Sequence, residues 1–228
     1  MLEGKKVSAI ILGAGASRRM EGCDKLFAHA FGKPLLYWSI CAFEHTPLVD
    51  EIIIVLNQAN LAAGRKLAEK EKFSRVRAIV PGGERRQDSV MEGLKSATGE
   101  IVLIHDGARP LVDSSLIERV ARGALLTGAC IPAIIPTDTI KTELDGFVKE
   151  TLPRKALRAI QTPQAFESRL LQSAFRNADC EVTDDAQMAE MAGIKVSLTD
   201  GSYDNIKVTT PSDLELARIL IRKRGGTK

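Results

Sequence analysis

The sequence predicts an α/β fold: one three-layer domain, a mostly parallel sheet covered on both faces by helices, with a protruding β-hairpin arm. Three observations predict it. Residues 7–12, 51–56 and 101–105 are short, nearly continuous apolar runs, the pattern of strands buried on both faces. Amphipathic stretches of helical length separate them. Past Pro136 the chain instead alternates polar and apolar residues around Asp145-Gly146, a strong hairpin-turn signal.

The elements follow in order. Residues 7–12 form the first strand, and 34–43 a helix with Pro34 suited to its first turn. A buried strand at 51–56 is followed by a helix near 61–72, a strand at 76–80, a helix at 87–97, a strand at 101–105 and a helix at 114–124. Residues 137–144 and 147–152 are the two arms of the hairpin. A lone two-stranded ribbon is marginally stable in water, so the arm at 137–155 is expected to pack on a second copy of the chain as a homodimer. The last third returns to helices at 168–177, 184–192 and 211–222, with a strand at 195–198. Thr210, Pro211 and Asp213 have the spacing of a capping box with proline in the first turn. Right-handed crossovers put the loops at 13–25, 81–88 and 106–110 on one edge of the sheet, where such Rossmann-like folds bind ligands.

Composition narrows the function. A chain of 228 residues with 44% hydrophobic and 27% charged residues fits one globular domain with a sizeable core. A net charge of +3 is too mild for a nucleic-acid footprint, and aromatics at 4% are too sparse for a base-stacking platform. Cys23, Cys41, Cys130 and Cys180 contain no C-x-x-C pair, which points to free thiols in a reducing compartment. His29, His45 and His105 are the only histidines, so a His-rich metal site is excluded. No apolar run approaches the ~20 residues that span a bilayer, and no secretory signal precedes the first strand. A cytoplasmic protein away from membranes is expected, with a basic tail at 222–228 that frays.

The chemistry is expected in the first loop. The strand at 7–12 stops at Gly13-Ala14-Gly15-Ala16-Ser17, and Arg18, Arg19 and Lys25 follow. Small side chains let backbone N–H groups approach an anion, and the cations neutralise it; a triphosphate is the natural guest. Arg18 stands where a dinucleotide fingerprint needs its third glycine, and no G-K-[ST] triplet marks a P-loop. A second glycine–arginine loop, Pro81 to Ser89, runs into a helix N-terminus and suits either a base and ribose or a plain turn. Asp106, just past a buried strand, either holds Mg²⁺ by oxygen or serves as a turn residue; Arg109 adds a forked phosphate donor. Lys207 lies at a late strand end, and Thr183 can cap the helix after it. No nucleophile–base set and no G-x-S-x-G elbow occur. Cations, glycines, hydroxyls and one or two aspartates suit phosphoryl-type transfer by positioning and charge stabilisation.

These residues fall in ordered blocks across nearly the whole chain: Gly82-Gly83-Glu84-Arg85-Arg86-x-x-Ser89-Val90, His105 to Pro110, Thr162 to Phe166, Val182 to Ala186 and Asp204 to Thr209. In them the chain resembles the 2-C-methyl-D-erythritol 4-phosphate cytidylyltransferases of the non-mevalonate isoprenoid pathway. The first loop alone resembles the wider nucleotidyltransferase superfamily. The resemblance implies that CTP lies over Leu12, Gly13, Ala14, Gly15 and Ser17, with Gly83, Arg86 and Ser89 around its base and ribose. Arg18, Lys25 and Lys207 would be catalytic, holding the phosphates. Asp106 would hold Mg²⁺ or another divalent cation. Asp106, Gly107, Arg109, Thr183 and Lys207 would meet a sugar-alcohol phosphate, joined by Thr139 and Arg154 from the neighbouring subunit's arm. The chain departs from the family pattern at Leu12-Gly13, at Leu26 after the lysine (usually glutamine) and at Gly107 (usually alanine); none of these removes a charge that the reaction needs. A cytidylyltransferase for another polyol phosphate, such as ribitol 5-phosphate, needs the same cations. A Rossmann-type redox enzyme and a non-catalytic nucleotide-binding module are the other readings.

Overall fold

The computed structural model describes residues 1–15, 25–176 and 181–225. The elements run β1 (Val7–Gly13), β2 (His29–Ala30), β3 (Lys33–Pro34), α1 (Leu35–Glu44), β4 (Glu51–Leu56), α2 (Leu61–Glu71), β5 (Val76–Pro81), α3 (Arg86–Ser96), β6 (Ile101–Asp106), α4 (Ser114–Thr127), β7 (Ala129–Ile134), β8 (Lys141–Leu144), β9 (Phe147–Thr151), β10 (Ala159–Ile160), β11 (Gln164–Glu167), α5 (Ser168–Arg176), α6 (Asp185–Met191), β12 (Ser197–Asp200) and α7 (Pro211–Lys223).

Among the described residues eight strands make the central sheet, in the order β10-β7-β11-β6-β1-β4-β5, with β12 also paired to β7. The β5, β4, β1 and β6 ladders are parallel, while β11 and β10 run antiparallel to their neighbours. The mainly parallel sheet is the one that the sequence predicts. The chain leaves β1 for β4 on one side and returns to β6 on the other, so the strand order reverses between β1 and β6. A crevice opens outside the carboxyl ends of strands at such a point, and Leu12 pairs with Asp106 across it.

Alternation along each strand fills the two sides of the sheet. Ala9, Ile11, Ile52, Ile54, Ile101 and Leu103 face the helices that carry Leu36, Phe43, Leu61 and Ile117. Ile10, Ile53, Val55, Val102 and Ile104 face Val90, Leu94, Leu171 and Ala189. Each of these strand side chains is fully buried; truncating one of the larger ones to alanine costs about 2–5 kcal/mol. A third cluster seats α7, through Leu214, Ala217 and Ile221, against Leu35, Leu111 and Val208. The Thr210 box forms as expected: Asp213 N–H donates to Thr210 Oγ1, and Asp213 Oδ2 accepts from Thr210 N–H.

Several boundaries differ from expectation. Pro34 is the N-cap of α1, with φ −65° and an extended ψ of 154°, and not a residue of its first turn. β12 begins at Ser197, later than the strand expected at 195–198. β7, β10 and β11 were not expected. Pro132 sits inside β7, and proline lacks the N–H of a ladder position, which masks the strand in the sequence; the Pro132 carbonyl still accepts from Gln161 N–H.

The arm is a separate two-stranded sheet of β8 and β9. Asp145 and Gly146 both have positive φ, 51° and 83°, as a tight hairpin turn of this kind requires. No described helix is long and apolar enough to cross a membrane. Cys41 and Cys130 are free thiols; Cys23 and Cys180 lie outside the described residues.

Candidate active site

Three loops and one late segment converge at the switch point. The cleft is lined by Leu12, Gly13, Ala14 and Gly15 at the end of β1, by Lys25, by Gly83, Arg86 and Ser89 at the start of α3, by Asp106 at the end of β6, and by Lys207. All of these were singled out in the sequence. Ser17 and Arg18 lie outside the described residues.

Local chemistry explains each placement. Gly82 N–H donates to Leu56 O, which ties the second loop to the end of β4. A Cβ on Gly82 would meet Ala14 Cβ and stand 2.7 Å from Ser89 Oγ, so only glycine lets the two glycine loops touch. At the start of α3, Asp88 Oδ2 accepts Arg85 N–H at 3.1 Å, and its carboxylate also takes the Arg85 guanidinium, which fixes the first turn of the helix beside the cleft. Ser89 Oγ donates to Arg85 O at 3.2 Å. Gly107 N–H donates to Leu12 O at 2.8 Å, and a Cβ there would stand 3.0 Å from that same oxygen.

The electrostatic centre is Asp106. Its Oδ2 accepts Lys207 Nζ at 2.8 Å, while Arg86 Nε and Arg109 Nε each lie 3.7 Å from its oxygens. Burial alone would push its carboxyl up, but Lys207 and Arg86 outweigh burial and hold it well below the usual carboxylate range. Lys207 does not lie at a strand end, as the sequence suggested. It sits on an irregular segment after β12, brought in because Val208 N–H donates to Ala108 O at 2.8 Å.

Sequence reasoning missed what holds Asp106. Asp106 N–H donates to Thr162 Oγ1 at 3.0 Å, and Thr162 Oγ1 lies 3.1 Å from His105 Nδ1. His105 Nε2 is 3.2 Å from Arg109 O. The carbonyl can only accept, which sets the imidazole as the neutral Nε2–H form with Nδ1 accepting from the Thr162 hydroxyl. Burial lowers the His105 pKa to about 4. Arg109 Nη1 donates to Asn205 O at 2.7 Å, which links the Asp106 loop to the Lys207 segment. The polar residues around Thr162 and Asn205 were legible only as blocks of residue types, because their partners are distant in the chain.

Three expected residues lie elsewhere in the single chain. Thr183 lines a neighbouring cavity with Arg158, Asp184 and Gln187. It does not cap α6: Asp184 does, accepting from Gln187 N–H, while Thr183 Oγ1 donates to Gln187 Oε1. Aspartate is the stronger cap, and it occupies the position before the first helical turn. Thr139 and Arg154 belong to the exposed arm region, where Arg154 Nη1 donates to Thr137 O.

Among the described residues no three His, Cys, Asp or Glu side chains converge as a metal site. Asp106, already ringed by three cations, offers a metal little more than one oxygen. That donor set fits a divalent cation shared with a polyphosphate, since Mg²⁺ commonly takes one or two carboxylates and completes its shell with phosphate and water.

Among the described residues no histidine or cysteine lines the cleft, so Ser89 has no such base beside it. The cleft's glycine edges and fixed cations serve to bind and neutralise phosphate. The fold and site are those of a nucleotidyltransferase-class α/β enzyme. The family described as IspD, 2-C-methyl-D-erythritol 4-phosphate cytidylyltransferase, matches residues 7–223. The chain belongs to that family.

Individual relatives agree. The 2-C-methyl-D-erythritol 4-phosphate cytidylyltransferase of Dehalococcoides mccartyi (strain ATCC BAA-2266 / KCTC 15142 / 195) is 44% identical over 225 residues, 98% of this chain and 99% of the relative. That of Clostridium acetobutylicum is 44% identical over 222 residues, 94% and 97% of the two chains. Among solved structures, the 4-diphosphocytidyl-2C-methyl-D-erythritol synthase of Anaerococcus prevotii superposes with a TM-score of 0.85 at 30% identity, covering 96% of this chain and all of the other. The 2-C-methyl-D-erythritol 4-phosphate cytidylyltransferase of Thermus thermophilus gives 0.79 at 33% identity, covering 95% and 99%.

Proposed function

We propose that this chain transfers the cytidylyl group of CTP to 2-C-methyl-D-erythritol 4-phosphate, yielding 4-diphosphocytidyl-2-C-methyl-D-erythritol and pyrophosphate in isoprenoid biosynthesis. The observation that carries the reading is the meeting of Arg86, Arg109 and Lys207 around Asp106, with Lys25 lining the same cleft, at the switch point of a chain that belongs to this family.

In this reading the triphosphate lies along the backbone of Leu12 to Gly15, and Ser17 and Arg18 are assigned to it from the sequence. Gly83, Arg86 and Ser89 surround cytosine and ribose. The phosphate oxygen of the second substrate attacks the α-phosphorus in line, and pyrophosphate leaves. The nucleophile is already ionised, so no protein base is needed. Lys25, Lys207 and Arg18 neutralise the charge that builds on the α-phosphoryl oxygens. Asp106 would hold Mg²⁺ shared with the triphosphate; the ion's chemistry is to withdraw charge from the phosphate oxygens. Asp106 and Lys207 would meet the sugar-alcohol phosphate from the cleft, Gly107 and Arg109 from the loop that carries Asp106, and Thr183 from the neighbouring cavity.

The whole chain is read as one catalytic domain, with 137–155 as the dimerisation arm. Leu144, Phe147 and Val148 are 57%, 77% and 63% exposed on the arm, apolar surface that a second copy would cover. Thr139 and Arg154 would then reach the partner's sugar-phosphate pocket. A cytoplasmic location goes with the free thiols Cys41 and Cys130.

Pyrophosphate release with CTP and Mg²⁺ tests the reaction. Turnover with methylerythritol phosphate should exceed that with ribitol 5-phosphate by at least about tenfold in kcat/KM. Equal or reversed preference would overturn the substrate assignment.

A further inference from the structure

Behind the cleft wall lies a carboxylate that the proposed reaction does not use. Asp185, the first residue of α6, is 1% exposed. Its Oδ2 accepts Arg86 Nη2 at 2.7 Å, and its Oδ1 is buried with no hydrogen-bond partner among the described residues. Arg86 is its only ion-pair partner among the described residues. A charge buried in this way costs free energy that one ion pair rarely returns, so a gain in stability alone is a poor reason for it.

The surroundings fix Asp185 in place. Gln164 on β11 donates from Nε2 to Asp184 Oδ2 at 2.8 Å, and its Oε1 accepts from Ala186 N–H at 3.0 Å. Gln87, beside Arg86, accepts from Val182 N–H at 3.2 Å. The segment from Val182 to Ala186 is therefore pinned to the sheet on one side and to α3 on the other. Arg86 in turn has two carboxylates in reach: Asp185 at 2.7 Å and Asp106 at 3.7 Å. The nearer partner dominates a Coulomb interaction, so Asp185 is the group that holds the guanidinium at the wall, with Asp106 the weaker neighbour.

We propose that Asp185 is the positioning residue for Arg86, presetting the guanidinium at the cleft wall for the nucleotide. The inference rests on the reading that Arg86 faces CTP. Burial works against both charges: it pushes the Asp185 carboxyl up despite Arg86, while at Arg86 the pairing with Asp185 outweighs burial and holds the guanidinium above the ordinary arginine value.

Asp185→Asn keeps the size of the side chain and removes its charge. In full-length enzyme with CTP, Mg²⁺ and methylerythritol phosphate, KM for CTP should rise about tenfold, with kcat and the KM for the alcohol phosphate within about twofold. Calorimetric titration of CTP should show the same loss of affinity. In an Arg86→Ala background the Asp185→Asn change should have no further effect on CTP binding. A purely structural role would reduce the active fraction, and so kcat, while leaving KM for CTP unmoved. Should Asp185→Asn not fold, Asp185→Ser, too short to reach Arg86, reads the same quantities. Unchanged CTP affinity in the folded Asp185 variant, or full additivity with Arg86→Ala, overturns the inference. Arg86→Ala that itself binds CTP normally overturns the reading of Arg86 beneath it, a result distinguishable from failure at Asp185 alone.

Discussion

Lys207 Nζ stands 2.8 Å from Asp106 Oδ2, joining the end of β6 to a segment that follows the last strand of the sheet. The contact places a fixed cation beside the switch point, where Lys25 and the first glycine loop also arrive. An ion pair with a partner 41% exposed contributes little to stability, so its value lies in what it offers a phosphate.

Lys25→Ala and Lys207→Ala should each lower kcat by 10²–10³, about 3–4 kcal/mol of transition-state stabilisation, by analogy with the loss of one preorganised oxyanion donor. Thermal unfolding should shift by no more than a few degrees. Steady-state kinetics beside a melting curve checks both, and near-normal turnover in either variant would remove that lysine from the catalytic set.

Gly82→Ala should injure nucleotide binding selectively. The added methyl would press on Ala14 and Ser89 and separate the two loops that hold the nucleotide. KM for CTP should rise roughly tenfold or more, a cost of about 1.4 kcal/mol per factor of ten, while KM for the alcohol phosphate stays near its starting value.

Stability should fall below neutral pH in two stages. His105 has a pKa of about 4 in the fold, lowered by burial from an unfolded value of about 6.5. The unfolded chain therefore takes up the proton first. The stabilisation is complete above pH 6.5 and is lost as pH falls toward 4, by about 3 kcal/mol. Glu51, at about 2, is raised by burial but lowered further by its bonds from Lys6, Ser8, Thr98 and Arg77. Its contribution is complete above about 4.5 and declines as pH falls toward 2. Urea titrations from pH 7.5 to 4.5 should show the first stage, and His105→Gln should flatten it.

Leu144→Ser combined with Phe147→Ser and Val148→Ser should yield a monomer by light scattering at micromolar concentration, with kcat/KM for the alcohol phosphate lowered at least about tenfold. A wild-type chain that is itself monomeric there would contradict the arm's assigned role.

Much of the parallel half of the sheet was legible, because apolar runs such as Ile52 to Val55 have little alternative to a doubly buried strand. The antiparallel half was not. Pro132 masks β7, and β10 and β11 are too short to carry a period. At the cleft, glycines and cations beside strand ends could be read locally. The Thr162–His105 contact, the Asn205–Arg109 bond and the Asp185–Arg86 pair could not, since each joins residues far apart in the chain.

The most direct measurement is a crystal structure of the enzyme with CTP and Mg²⁺. The account predicts the triphosphate along residues 13–25, the base against Gly83 and Ser89, and the α-phosphate within hydrogen-bond reach of Lys25 or Lys207. A nucleotide bound away from the β1–β6 switch point would contradict it.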